Sequence, residues 1–168
     1  WDRIDIQEYL NGNIKKIETL NLPSTISYIE AGWAFDGCGD TLKIITIPES
    51  NKTYKVVDNM ILSKNGEKLI KASMNREEVV IPDSVKIVGV ASITGGKIEK
   101  VIIGDNVETI EKQSIKNVNK ITELVIGKCV KDISPGFRQQ AFLDDVSGFI
   151  GNGKCNEDGL TLDEFLEE

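Results

Sequence analysis

A short apolar segment recurs along this chain, and the recurrence constrains the fold more than any other feature of the sequence. In each copy, a strand-like stretch ends in an apolar residue that Pro or Gly follows. The five terminal apolar residues, separated by 25, 34, 22 and 23 positions, are Leu22, Ile47, Ile81, Ile103 and Ile126. In four of the five copies, further apolar residues stand four and seven positions later. Repeated units of this length are typical of solenoids, in which each unit packs on its neighbours.

The apolar positions within one unit predict how it folds. Val101 and Ile103 are two residues apart, so on a strand they share a face, and we expect that face to look into the solenoid. The Pro or Gly that follows ends the strand, since Pro donates no ladder hydrogen bond. The next apolar pair, such as Val107 and Ile110, returns along the opposite wall. The expected fold is a β-rich solenoid with one short strand in each unit of 22 to 25 residues.

The second unit is longer than the others, because 34 residues separate Ile47 from Ile81. Its surplus, about residues 54–71, contains short β-prone runs separated by turn residues. Asn65-Gly66 is the strongest short-range hairpin signal in the chain, since both residues tolerate a positive φ. We therefore predict a small β-hairpin or meander inserted into the solenoid.

Composition excludes several classes of function. The 168 residues are enough for one domain, and 27 acidic against 20 basic residues give a net charge of −7, which disfavours binding to nucleic acid. No run of apolar residues is long enough to insert into a membrane. The chain has no His, which removes imidazole catalysis and imidazole metal sites, and it contains no nucleotide-binding or hydrolase motif. We expect no catalytic residue, no metal ligand and no cofactor.

The three cysteines and an acidic stretch near the end complete the search for chemistry. Cys38 is expected to be a small buried hydrophobe. The sequence does not decide whether Cys129 and Cys155 form a disulfide. Residues 156–165 partly resemble a calcium-binding loop, but Phe165 stands where the loop needs its bidentate Glu. A turn followed by a capped helix is the better interpretation of that stretch.

Residues between the inward positions predict a candidate binding surface. They form two adjacent outward rows, which are Thr19, Ile44, Glu78, Lys100 and Glu123, and Asn21, Thr46, Val80, Ile102 and Val125. The second row is apolar in three successive units and has a charged rim, which often marks an interaction site. The candidate ligand-binding residues are Glu78, Val80, Lys100, Ile102, Glu123, Val125 and Thr46. The alternative is that β-branched residues merely suit strands, or that a neighbouring segment covers them.

The two ends differ from the repeats, and we expect them to cap the open apolar layers of the solenoid. Residues 1–16 form the N-terminal cap, where a helix is slightly favoured over a strand. Residues 138–168 form a helical C-terminal cap, because Phe142, Val146, Phe149 and Ile150 recur at helical spacing. The solenoid itself is assigned to residues 17–137.

These units resemble the BspA-type leucine-rich repeat. The run from Ile81-Pro82 through Val85 to Val88-Gly89 follows that family's pattern, and Ala34-Phe35 with Cys38 supplies its Ala-Phe and Cys positions once. Ser92-Ile93 and Ser114-Ile115 stand where the family prefers Ala-Phe. The resemblance implies a leucine-rich-repeat solenoid that is non-enzymatic, extracellular or displayed at a bacterial cell surface, and that binds host or matrix proteins.

Two other functions compete with a protein-binding or adhesion module. The chain could be a structural spacer in a larger surface protein, or an accessory domain that binds carbohydrate. The small number of aromatic residues, 6% of the chain, argues against the carbohydrate reading, because sugar platforms use them. Neither the ligand nor the oligomeric state follows from the sequence.

Overall fold

The computed structural model describes residues 17–119, 121–127, 129–133 and 149–151. The predicted N-terminal cap and most of the predicted C-terminal cap lie outside these residues, as does the calcium-like stretch. The elements are β1 (Thr19–Asn21), the 3-10 helix η1 (Gly32–Thr41), β2 (Ile44–Thr46), β3 (Tyr54–Val57), β4 (Met60–Ser63), β5 (Lys68–Ala72), β6 (Glu78–Val80), β7 (Ile87–Val88), β8 (Ile93–Thr94), β9 (Lys100–Ile103), β10 (Thr109–Ile110), β11 (Ile115–Lys116), β12 (Glu123–Ile126), β13 (Asp132–Ile133) and β14 (Phe149–Gly151).

The chain is a β-solenoid whose successive turns stack in parallel. One wall is a sheet in the order β6, β9, β12 and β14, a second contains β7, β10 and β13, and a third pairs β8 with β11. The turns that begin with β6 and β9 therefore have three short strands each, and the prediction of one strand in each unit is wrong there. The turns are in register, so that Val101 of β9 lies between Val79 of β6 and Leu124 of β12. Each unit therefore places the same sequence position at the same place on the same wall.

The inward positions form the core, as the repeat predicts. Val101 and Ile103 are fully buried, and the apolar residues four positions after four of the five strand ends are buried too, namely Ile26, Val85, Val107 and Val130. Fully burying one such side chain contributes about 1.5–3 kcal/mol. Most of the stability of a turn therefore comes from the neighbours on which it stacks.

Residues 54–72 form an antiparallel meander at the side of the solenoid. β3 pairs with β4 and β4 with β5, and β5 then joins β7 in parallel. Asp58 and Asn59 connect β3 to β4 with φ of 49° and 54°, and this left-handed conformation suits a two-residue hairpin turn. Asn65 and Gly66 lie in the connection between β4 and β5.

The helix η1 fills the interior of the N-terminal turns. Phe35 and Cys38 on η1 are fully buried, which confirms the prediction that Cys38 packs as a small apolar residue. Burial raises the pKa of the Cys38 thiol to about 11. Gly32 begins η1 where a Cβ atom would stand 2.1 Å from the carbonyl oxygen of Ala91, so no larger residue fits there.

The predicted C-terminal helix is wrong at Phe149 and Ile150. These residues lie in β14, which pairs in parallel with β12. An aromatic and a β-branched residue are also good strand formers, and the edge of β12 offers them backbone partners that a helix would leave unused. Cys129 is disulfide-bonded, whereas Cys38 is free.

Candidate ligand-binding face

Six of the seven candidate residues lie together on the outer face of β6, β9 and β12. Glu78, Lys100 and Glu123 are aligned across the three strands, and so are Val80, Ile102 and Val125. This alignment follows from the inward packing of the residues between them, since neighbours along a strand point to opposite faces. We call these six residues the ladder face.

The charged row of the ladder face consists of a lysine between two glutamates. The Lys100 Nζ lies 3.4 Å from Glu78 Oε1 and 3.3 Å from Glu123 Oε1. Hydrogen bonding to Glu123, together with its charge, raises the pKa of Lys100, and Glu78 adds to the effect. The row therefore carries one net negative charge when all three groups are ionised.

The apolar row is open at one end and partly shielded along the rest. Val80 on β6 is 45% exposed, whereas Ile102 and Val125 are half-buried. The predicted apolar stripe is thus most accessible at β6, where the sheet ends.

Thr46 is the one candidate that lies apart from the ladder face. It stands on β2, which pairs only with β1 among the described strands, and its Oγ1 donates to Asn21 Oδ1 at 2.6 Å. The outward row that contains Asn21 and Thr46 is therefore polar and hydrogen-bonded on β1 and β2.

A break in the wall separates β2 from β6, and sequence reasoning missed it. Leu42 O accepts from Met74 N and Asn75 N, but the ladder does not continue into β6. Instead, Asn59 Oδ1 accepts from the backbone N of Ile45 at 3.2 Å. The unusual spacing of 34 residues between Ile47 and Ile81 was the signal that could have located this break.

Arg76 and Asp58 border the break. The Arg76 Nη2 donates to the backbone O of Asp58 at 2.8 Å and to its Oδ2 at 3.3 Å. The Nε and Nη1 of Arg76 are enclosed without a hydrogen-bond partner among the described residues. Two donors of this mostly buried guanidinium therefore have no partner among the described residues.

A buried lysine is the second feature that the sequence analysis did not identify. Lys71 on β5 is fully buried, and its Nζ donates to Ala91 O at 3.2 Å and to the Oγ1 of Thr94. Desolvation lowers the pKa of Lys71 to about 7, although the nearby carboxylate of Asp36 acts in the opposite direction. The alternation of Leu69 with Lys71 along one strand face was the available signal.

The Lys71 amine lies in a closed site without access to solvent. Asp36 Oδ2 is bound to Lys116 Nζ at 2.8 Å, and the hydroxyls of Ser92 and Ser114 are enclosed without partners among the described residues. Nothing in this arrangement holds an exposed nucleophile. Within the described ranges, no cluster of acidic and Cys side chains has the geometry of a metal site, and no helix is suited to cross a membrane.

Two solved structures are similar to this chain. A leucine-rich repeat protein from Eubacterium ventriosum is 15% identical, with a TM-score of 0.47, over 79% of this chain and 48% of its own. The pneumococcal vaccine antigen PcpA is 17% identical, with a TM-score of 0.49, over 80% of this chain and 43% of its own. The chain thus spans less than half the length of either protein. None of the curated proteins matches it.

The family model for the BspA-type leucine-rich repeat region matches the sequence in six copies. The matches cover residues 3–65 and 66–147, which is most of the chain. The stacked turns and their repeated inward residues are the structural counterpart of those copies. The chain therefore belongs to the BspA-type leucine-rich repeat family.

Proposed function

We propose that this chain is a non-catalytic protein-binding module of a secreted or surface-displayed bacterial protein, and that it binds through the ladder face. Proteins with BspA-type repeats are typically found at bacterial surfaces, which supports this setting. The partner is a host or matrix protein in this proposal.

The observation that carries the proposal is the joint arrangement of the two rows. Val80, Ile102 and Val125 give a continuous apolar row, and Lys100 lies between the two flanking glutamates and forms an ion pair with each. An apolar stripe beside a polar rim is the usual composition of an interaction site. Because the strands are tied into a stacked core, this surface loses little conformational freedom on binding.

The chemistry of the face favours a protein over a sugar. The ladder face contains no aromatic side chain on which a pyranose could stack. It offers instead β-branched side chains and two carboxylates, which suit a partner that presents apolar and basic side chains side by side.

A binding screen against matrix glycoproteins and glycans tests the proposal. For any partner found, Val80→Glu combined with Ile102→Lys places charge in the apolar row and is expected to weaken binding at least about tenfold. The matched control is Ile87→Lys with Thr109→Glu, which places the same charges on paired, partly exposed positions of β7 and β10 in the second wall and should leave the affinity unchanged.

Two results would count against the proposal. Equal affinity of both double variants and the unmodified chain would remove the ladder face as the binding site. No binding to any protein or glycan would favour a structural spacer. A hydrolase domain encoded beside this segment in the same gene would instead favour the carbohydrate-binding accessory domain.

A further inference from the structure

We propose that the outer edge of β6 receives an extended segment of the partner protein, which pairs with β6 as an added parallel strand. This inference rests on the proposed function and names how the ladder face recruits its partner. The added strand would lie along the free edge of β6, which faces the break. Its side chains would extend the charged row and the apolar row by one member each.

The backbone of β6 is available for such pairing. Lys100 N donates to Glu77 O, and Ile81 N donates to Ile102 O, so the backbone groups of Glu78 and Val80 face away from β9. Among the described strands, none pairs with that side of β6, and no described residue bonds to those groups. An unpaired strand edge of this kind is a template for an incoming strand.

The structure already contains a strand that fits this edge. β6 and β12 have the same pattern, since Glu78-Val-Val-Ile81 corresponds to Glu123-Leu-Val-Ile126. On its equivalent edge, β12 receives β9, with Lys100 opposite Glu123 and Ile102 opposite Val125. The matching occupant of the β6 edge therefore presents a basic residue to Glu78 and a β-branched residue, two positions later, to Val80.

The surroundings of the break also suit a partner with apolar side chains. Three of the four exposed large hydrophobic residues in the described part of the chain lie on the elements that border it, with Ile44 on β2 46% exposed, Val57 on β3 40% and Val80 on β6 45%. The Asp58 side chain that contacts Arg76 is 69% exposed, and contacts of that kind are weak. This contact therefore offers little resistance to an added strand.

A synthetic peptide with the sequence of residues 97–104 is the probe, because it copies β9. Titrated into the ¹⁵N-labelled chain, it is expected to shift the amide signals of Glu78 and Val80 first. Exchanging its lysine at the position of Lys100 for Glu should weaken binding about tenfold or more, since two carboxylates would then face each other.

Two N-methylated peptides separate strand addition from binding by side chains. Glu99 O accepts from Glu123 N, so in β9 the backbone groups of Val101 face β12, and those of Ile102 do not. N-methylation at the Val101 position should therefore abolish binding, whereas N-methylation at the Ile102 position should preserve it.

The outcomes distinguish the two proposals. Equal binding of both methylated peptides, or no binding of the unmethylated peptide, overturns strand addition. In that case, a partner from the screen whose affinity still falls for Val80→Glu with Ile102→Lys leaves the ladder face intact as the binding site. If peptide binding survives while the screened partner ignores the ladder-face variants, the proposed function fails instead.

Discussion

The strand pair β1–β2 and the ladder β6–β9–β12 are built from the same repeated segment but present different outer faces. Their inward residues are equivalent, since Ile45 on β2 is as buried as Val101 on β9. Their outward residues differ, with Asn21 hydrogen-bonded to Thr46 in the first region and an apolar row beside ion pairs in the second. Packing thus dictates one side of each strand, and the other side is free to differ with function.

The two regions also have separate cores. One apolar cluster surrounds Phe35 and Cys38, and the other runs through the turns from β6 to β12. The meander contributes to both clusters, because Ile61 packs with the first and Leu62 with the second. The comparison can therefore be tested by disturbing each region by itself.

The largest expected effect comes from the core of the N-terminal region. Phe35→Ala removes a fully buried aromatic ring and is expected to lower the free energy of unfolding by about 3–5 kcal/mol. Hydrogen exchange should show the loss of protection in β1 and β2 before β9 and β12, because each turn depends mainly on its neighbours. The matched variant Ile115→Ala should reverse that order. Uniform loss of protection in both variants would show that the two cores behave as one.

The next effect is a pH dependence from Lys71, which lies between the two regions. Its pKa is about 7 in the folded chain against 10.5 for the free amine, so the unfolded chain binds the extra proton between these values. Stability should therefore rise with pH from about 7 to 9, by at most about 1.4 kcal/mol per pH unit. Above that window, the raised pKa of the Cys38 thiol acts in the opposite direction.

Lys71→Met should remove this slope, and urea unfolding at several pH values would measure it. The matched control is Lys68→Met, which removes a partly exposed lysine from the same strand and should retain the slope. The groups facing Lys71 are Asp36, Lys116 and Cys38, and they are unchanged in both variants. An unaltered slope in Lys71→Met would assign the pH dependence to another group.

A smaller effect is expected when the N-terminal pair is made to resemble the ladder. Asn21→Val with Thr46→Val replaces an exposed hydrogen bond by an apolar cross-strand pair. Both positions are exposed and both new residues suit strands, so the free energy of unfolding should change by no more than about 0.5 kcal/mol. A larger loss, measured by urea unfolding, would show that the polar row of β1 and β2 is structural rather than free to vary.

The smallest effect is expected from the ion pairs of the ladder face. Lys100→Met removes both contacts to Glu78 and Glu123 and should lower the midpoint of thermal unfolding slightly at low salt. At about 1 M salt, where the Debye length is about 3 Å, the difference in unfolding midpoint from the unmodified chain should vanish. A difference that persists at high salt would mean that the methylene chain of Lys100 contributes through packing.

The inward half of the fold could be predicted from sequence, whereas the structure of its interruption could not. Positions such as Val85 and Ile103 recur at fixed offsets, and a recurring apolar residue has one physical role in a stacked turn. The break beside β6 depends on how the Asp58-Asn59 turn meets Ile45, which no local pattern encodes. Phe149 and Ile150 satisfied a helical spacing, but pairing with β12 decided their structure.

The part of the candidate site that depends only on the register between neighbouring strands could be predicted from the sequence. Alignment of Glu78, Lys100 and Glu123 results directly from equal spacing along the repeats. Thr46 belonged to the same sequence row, but the break leaves it in another sheet. Lys71 was overlooked because burial of its amine depends on acceptors from a later turn, Ala91 and Thr94.

Because charge alternates across Glu78, Lys100 and Glu123, the addition of one turn and the addition of two turns would affect this row differently. Duplicating the single turn that contains β9 would set two lysines about 4.8 Å apart on adjacent strands and create repulsion in the row. Duplicating two turns together would restore the order of acidic and basic residues and lengthen the surface by two strands. Growth of such a surface by recombination should therefore proceed more readily in even numbers of turns than in odd ones.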